Sequence, residues 1–134
     1  MNLSARKLIF IVDDDPDDRQ FILDALLENS SCIDHLFINS AEQLLTTLSS
    51  SSVHYPDLIL LDLNMYGVRG IQALKEIRSN SLLNHIPVII LTTSTLENDK
   101  KLCYDYGANC FITKSHSYKK MIAVANAILT LWLE

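Results

Sequence analysis

Five polar side chains with complementary chemistry follow four apolar stretches of the sequence, each where an apolar run ends. In chain order they are Asp13 and Asp14, then Asp62, Thr92 and Lys114. Clustered carboxylates repel one another and need a cation, and hard oxygen ligands favour Mg²⁺, or Mn²⁺, over softer metals. A metal, a hydroxyl and an ammonium can share the charge of a phosphoryl group, and an aspartate beside them can accept that group. If the fold brings these residues together, they predict a site for metal-dependent phosphoryl transfer.

Aliphatic runs predict the strands that would position these side chains. Residues 58–61 form an uninterrupted apolar run, which is typical of a short strand buried on both faces of a parallel sheet. Runs at 7–12, 87–91 and 109–113 indicate further strands, and the less uniformly apolar 34–38 fits a sheet edge. Open α/β sheets bind ligands at the carboxyl ends of their strands, so the polar residues there should converge.

Cap signals and amphipathic spacing predict the helices between these strands. Asp15 and Pro16 suit the N-cap and the first helical position, and Ser40 with Gln43 forms a capping-box pattern. Because strands and helices alternate, we predict a three-layer α/β domain with right-handed crossovers. The predicted helices cover about 16–28, 41–48, 71–78, 96–106 and 117–133.

Composition limits the class of protein. The 134 residues are 49% apolar and 20% charged, which is typical of one globular domain, and no apolar run approaches the roughly 20 residues of a membrane span. The net charge of −5 argues against direct binding to nucleic acid. Cys32, Cys103 and Cys110 lack metal-ligand or disulfide spacing, and no signal peptide is apparent, which favours a cytoplasmic location. We expect a single domain over 1–134, with its core at about 7–133, no output domain and no membrane partner.

Four short motifs together resemble the receiver domain of two-component response regulators. They are VDD at 12–14, LDLNM at 61–65, LTTS at 91–94 and FITK at 111–114. The resemblance covers nearly the whole chain and implies a flavodoxin-like sheet with strand order 2-1-3-4-5. Residues 15–18 and 92–94 are also similar to the stand-alone subgroup associated with bacterial phytochrome kinases.

The resemblance implies a phosphoacceptor and a metal site. Asp62 would accept a phosphoryl group from the phosphohistidine of a kinase. Asp14 and Asp62 would bind Mg²⁺ through their side chains and Asn64 through its backbone carbonyl, and Asp13 would hold a metal-bound water. A sensor histidine kinase or a phosphotransfer protein would be the upstream partner.

The resemblance also implies a switch. Thr92 and Lys114 would contact the phosphoryl oxygens, and Phe111 would turn inward when Thr92 moves toward the phosphate. This coupling would change the surface of the fourth helix and its flanking strands, where an unidentified protein would bind. The apolar last helix also suggests a possible homodimer, although packing on its own sheet explains that stripe equally well.

Two positions depart from the family's pattern. Most receivers have a proline with a cis peptide bond after the lysine, where this chain has Ser115. A cis bond before a non-proline residue costs about 3–4 kcal/mol. We therefore expect either a strained cis Lys114–Ser115 bond or a different loop path. Tyr66 replaces a common proline after the acceptor strand and is a candidate partner contact.

Two other functions compete with this interpretation. An aspartyl phosphatase would carry a second acid two residues after Asp62, where Asn64 cannot serve as a general acid. A pseudo-receiver that binds proteins without phosphorylation is the main alternative, because of Ser115, although the intact acids, Thr92 and Lys114 argue against it. The plainest alternative is that the acids start a helix, the threonine forms a turn and the lysine is solvated. We expect a signalling domain and not an enzyme, with at most self-phosphorylation and self-dephosphorylation.

Overall fold

The computed structural model describes residues 6–50, 54–65 and 70–133. Tyr66, the candidate partner contact, lies outside these residues. The five strands of the described chain are β1 (Lys7–Val12), β2 (Ile33–Ile38), β3 (Leu58–Leu61), β4 (Val88–Thr92) and β5 (Cys110–Thr113). The five helices are α1 (Pro16–Asn29), α2 (Ala41–Ser49), α3 (Gly70–Ser79), α4 (Glu97–Asp105) and α5 (Tyr118–Trp132).

All five strands are parallel and stand in the order β2-β1-β3-β4-β5. This order confirms the flavodoxin-like topology that the family resemblance implied. Val12 pairs with Leu61, so Asp13 and Asp62 leave the sheet at the same level. The amide of Asp62 donates to the Val12 carbonyl at 2.9 Å, which fixes the acceptor strand against β1.

The core lies on both faces of the sheet, as a central parallel sheet requires. Along β1, Phe10 and Val12 belong to the cluster under α2, α3 and α4, whereas Ile9 and Ile11 belong to the cluster under α1 and α5. This alternation explains why β1 is apolar at consecutive positions. Trp132 at the end of α5 packs against the second cluster. The fold therefore accounts for part of the apolar terminal stripe.

The helix starts follow the predicted caps, with small differences. The Asp15 side chain accepts from the amides of Asp17 and Asp18 and caps α1. Ser40 accepts from the Gln43 amide, but the Gln43 side chain accepts from the amide of Asn39, one residue before the cap. The reciprocal bond of the capping box, from a backbone amide to the Gln43 side chain, is therefore made one residue earlier than in the standard motif.

Strand and helix ends differ from the predicted ones by at most one residue. Strand β4 begins at Val88, after Pro87, and extends to Thr92, so Thr92 is the last residue of the strand. Helix α4 ends before Gly107, whose φ of 99° is the left-handed conformation that glycine adopts readily. No helix among the described residues has both the length and the apolar character needed to cross a membrane.

Candidate functional site

Three carboxylates meet at the carboxyl edge of the sheet. Each of Asp13, Asp14 and Asp62 offers an oxygen, and these oxygens lie within 4.8 Å of one another. Asp13 is 2% exposed and Asp62 is 6% exposed, whereas Asp14 is partly exposed. Buried carboxylates at this separation repel unless a cation balances them, and three hard oxygen donors suit a small divalent cation. The predicted metal-binding acids therefore form one cluster whose chemistry fits such an ion.

Asp13 is held from several directions. Its Oδ1 accepts from the Asp15 amide at 3.0 Å, and its backbone carbonyl accepts from Arg19 Nη1 at 2.7 Å. Burial raises the pKa of the Asp13 carboxyl above its usual range, and hydrogen bonds from Lys114 and from the Asp15 amide only partly offset this. An added cation would therefore stabilise the charged form of the Asp13 carboxylate.

Lys114 reaches the same cluster from the end of β5. Its Nζ lies 2.5 Å from Asp13 Oδ2, 2.9 Å from Asp18 Oδ2 and 3.5 Å from Asp62 Oδ2. The side chain is only 10% exposed. Burial acts to lower the pKa of Lys114, but the hydrogen bonds and charges of the carboxylates outweigh it and raise the pKa. The group is therefore a charged ammonium beside Asp62.

The Lys114–Ser115 peptide bond is trans, because the described residues contain no cis peptide bond. Of the two alternatives for this loop, the different path is the one observed. Ser115 Oγ accepts from the Ser117 amide at 3.1 Å, and the Lys114 amide donates to the Thr92 carbonyl at 2.7 Å. The ladder between β4 and β5 thus fixes the Lys114 backbone.

Thr92 is fully buried and connects to Asp62 through Asn64. Thr92 Oγ1 accepts from Asn64 Nδ2 at 3.3 Å, and the Asn64 amide donates to Asp62 Oδ1 at 3.2 Å. Thr92 Oγ1 also accepts from the Ser94 amide at 3.4 Å. The Thr92 hydroxyl therefore does not contact the acid cluster directly but is linked to Asp62 through Asn64.

Phe111 lies on β5 beside β4 and is partly buried. It pairs with Ile90 and packs against the core cluster under α2, α3 and α4, and its amide donates to the hydroxyl of Tyr104 at 3.1 Å. The switch role of Phe111 stays a prediction.

Two site residues were not anticipated from the sequence. The helix dipole alone explains an acid in the first turn of α1, yet Asp18 also contacts Lys114. Asp18 follows Asp13 and Asp14 closely in the sequence, at the start of the next helix, and this proximity is the only signal for the contact. Gly70 begins α3 where an added Cβ would lie 2.5 Å from the Asp62 carbonyl oxygen, so any larger residue would force the backbone at Asp62 or at the start of α3 to move.

Comparisons with known proteins match this geometry. The family model described as response regulator receiver domain matches residues 9–126. The response regulator Rcp1 of Synechocystis sp. is 35% identical over 134 residues, covering 96% of this chain and 90% of Rcp1.

Solved structures agree. The phosphorylated cyanobacterial phytochrome response regulator RcpA is 34% identical, with a TM-score of 0.90 over 97% of this chain and 96% of RcpA. The Mn²⁺-bound form of Rcp1 is 32% identical, with a TM-score of 0.85 over 96% of this chain and 95% of Rcp1. On the family match, the relatives and the shared fold, the chain belongs to the response regulators of two-component signalling, as a receiver domain.

Proposed function

We propose that Asp62 accepts a phosphoryl group from the phosphohistidine of a sensor histidine kinase or a phosphotransfer protein, with Mg²⁺ as the metal. The observation that carries the proposal is the position of Asp62. This carboxylate is nearly buried, lies in the acid cluster and has the Lys114 ammonium 3.5 Å away. An ordinary turn-forming aspartate needs neither the cluster nor the ammonium.

The two oxygens of Asp62 have different surroundings. Oδ1 accepts from the Asn64 amide, whereas Oδ2 faces Lys114. In the proposed transfer a carboxylate oxygen attacks phosphorus, and the phosphorus–nitrogen bond to the histidine breaks. The ammonium beside Oδ2 would stabilise the negative charge on the transferring oxygens, as fixed charges do in phosphoryl transfer.

The proposed metal ligands are the side chains of Asp14 and Asp62 and the carbonyl of Asn64, and Asp13 would hold a metal-bound water. The divalent ion would neutralise the phosphoryl oxygens during the transfer. The all-oxygen donor set supports Mg²⁺, and Mn²⁺ can take the same ligands. The Mn²⁺-bound structure belongs to a relative, Rcp1.

We propose that the signal leaves the site through Thr92 and the start of α4. Ser94 donates its amide to Thr92 Oγ1 and its hydroxyl to Asp99 of α4 at 2.7 Å. The hydroxyl of Thr113 on β5 donates to the Ser94 carbonyl at 3.2 Å. A shift of Thr92 toward a phosphoryl group would therefore alter contacts with α4 and β5, and Phe111 would respond from β5. The exposed surface of these elements would present the changed state to a downstream protein.

A second copy of the chain is a possible further partner. Leu131 of α5 is 68% exposed, whereas Trp132 packs on the core of its own domain. Sedimentation of the protein before and after phosphorylation would show whether two copies associate. The free thiols of Cys32, Cys103 and Cys110 support a reducing, cytoplasmic compartment for these reactions.

The test is the intact mass of the protein after incubation with acetyl phosphate and Mg²⁺. We expect a gain of one phosphoryl group that disappears in Asp62→Asn and on chelation of the metal. An unchanged mass with acetyl phosphate and with a phosphorylated histidine donor would favour the pseudo-receiver, for which Ser115 is the one supporting departure. The contact between Lys114 and Asp62, made with a trans peptide bond, supports the phosphorylated function instead.

A further inference from the structure

Asp18 gives Lys114 an anchor outside the acid cluster. The Lys114 ammonium has three N–H donors, and the three carboxylates that surround it are those of Asp13, Asp18 and Asp62. Asp13 and Asp62 belong to the cluster that fits a cation, whereas Asp18 is not one of its three members. Asp18 is therefore the acceptor that a bound cation does not share.

The geometry of this contact favours positioning. Asp18 sits in the first turn of α1, behind the Asp15 cap, and its Oδ2 is 2.9 Å from Lys114 Nζ. The Lys114 stem enters from β5, so the ammonium is held between two separate elements. With one N–H on Asp18, the ammonium keeps two further donors for Asp62 and for a group bound to it.

We propose that Asp18 is a positioning residue for phosphoryl transfer: it holds the Lys114 ammonium beside Asp62 when the acids of the cluster are engaged with the metal. The proposal rests on the proposed function of Asp62 and adds a residue to it. Among the described residues Asp18 makes no hydrogen bond to the acceptor or to the proposed metal ligands, so it acts through Lys114.

Asp17 provides a matched control. It precedes Asp18 in the same turn of α1, carries the same charge and has no hydrogen bond to Lys114 among those observed in the described residues. Asp17→Ala and Asp18→Ala thus remove equal charge from one helix start. Asp18 is 41% exposed, so its substitution leaves no large cavity and both variants should fold.

The first test is the rate of phosphorylation by acetyl phosphate at saturating Mg²⁺. We expect the maximal rate of Asp18→Ala to fall about tenfold below that of Asp17→Ala, because misplacing a group that acts on the reacting atoms slows the reaction itself. Loss of negative charge should affect the half-saturating donor concentration equally in both variants. Asp18→Asn, which keeps an oxygen acceptor for Lys114, should recover most of the lost rate. Equal maximal rates for the two alanine variants, or no recovery in Asp18→Asn, would overturn the proposal.

A second test needs no phosphorylation. Heteronuclear NMR of lysine ammonium groups at saturating Mg²⁺, where the acids of the cluster are engaged, should show a protected Lys114 signal in the parent protein and in Asp17→Ala. The signal should broaden or disappear in Asp18→Ala, because the ammonium loses an anchor. A Lys114 signal unchanged in Asp18→Ala would contradict the proposal, whatever the rates. If the parent protein takes no phosphoryl group but the NMR effect appears, the function proposed for Asp62 fails while the anchoring of Lys114 by Asp18 stands.

Discussion

Two cations at opposite edges of the sheet differ in the kind of oxygen that surrounds them. Lys114, at the carboxyl edge, is surrounded by the carboxylates of Asp13, Asp18 and Asp62. Arg78, at the end of α3, binds neutral oxygens near the amino ends of β4 and β5. Its acceptors are the carbonyls of Gly107 at 2.8 Å, Ile86 at 2.8 Å and Asn84 at 3.3 Å, and Asn109 Oδ1 at 2.9 Å.

The two cations differ in whether their acceptors can also bind a ligand. Arg78 ties together two connecting segments, the one between α3 and β4 and the one between α4 and β5, mainly through their backbone carbonyls. Burial lowers the pKa of Arg78, and its hydrogen-bond acceptors among the described residues are all neutral oxygens. The carboxylates around Lys114 can instead bind a metal, which leaves the ammonium able to pair with phosphoryl oxygens. On the proposed function, Lys114 is the responsive cation and has charged partners, whereas Arg78 is the supporting cation and has neutral ones.

The largest expected effect comes from replacing the responsive cation. We predict that Lys114→Met lowers the rate of phosphorylation by acetyl phosphate by roughly 100-fold or more, because a fixed charge aimed at the transferring group is lost. Intact-mass time courses would measure it. Lys120→Met removes the same charge from an exposed site at the start of α5 and should retain nearly the full rate. A Lys114→Met rate within a factor of two of the control would mean that this ammonium does not assist the transfer.

The opposite result is expected for the supporting cation. Arg78→Met should lower the free energy of unfolding by about 2–4 kcal/mol, since several partly buried acceptors lose their donor. The phosphorylation rate of the folded protein should change little. Urea unfolding and the mass assay together would measure this split.

A matched control for Arg78 lies on the same helix. Lys75→Met removes an exposed cation whose Nζ lies 4.9 Å from the ring centre of Tyr106, a contact that contributes about 0.5–1 kcal/mol. If Arg78→Met were no more destabilising than Lys75→Met, the loops at the amino edge would not depend on the guanidinium.

Gly70 offers a change that should affect both properties. In Gly70→Ala the added Cβ would meet the Asp62 carbonyl oxygen at 2.5 Å and Leu63 Cα at 3.0 Å, so backbone must move. We expect a loss of about 1–3 kcal/mol in stability from this overpacking, and a slower phosphorylation because Asp62 is displaced. Unchanged stability and rate would show that the start of α3 can shift without disturbing the acceptor.

The sequence predicted the carboxyl edge of the sheet, around Lys114, much better than the amino edge, around Arg78. Polar residues at strand ends carry side-chain chemistry, so Asp62 and Lys114 could be placed together from the alternation of strands and helices. The order of the strands came from the family resemblance, since periodicity does not say which strands are neighbours. Arg78 was missed because its acceptors are mostly backbone carbonyls, which any residue provides. Asp18 was missed because a helix start already explains an acid there.

The smallest expected effect is a pH dependence of the free energy of unfolding that comes from Lys114 at the carboxyl edge. The pKa of Lys114 is raised in the fold above its usual 10.5, so the folded protein keeps a proton that the unfolded chain releases. The stabilisation from its charge is therefore complete below about pH 10.5 and is lost as the pH rises further.

Urea unfolding without metal would test this across that range. The stability difference between the parent protein and Lys114→Met should shrink above about pH 10.5, at up to about 1.4 kcal/mol per pH unit. Lys101→Met removes one partner of an exposed ion pair with Asp105, which contributes little at any pH, so its difference should stay small throughout. A difference for Lys114→Met that stayed constant across the same range would mean that the surrounding carboxylates do not hold the proton on this ammonium. Any response of the carboxyl edge to a ligand would then depend on the proposed metal-binding acids alone.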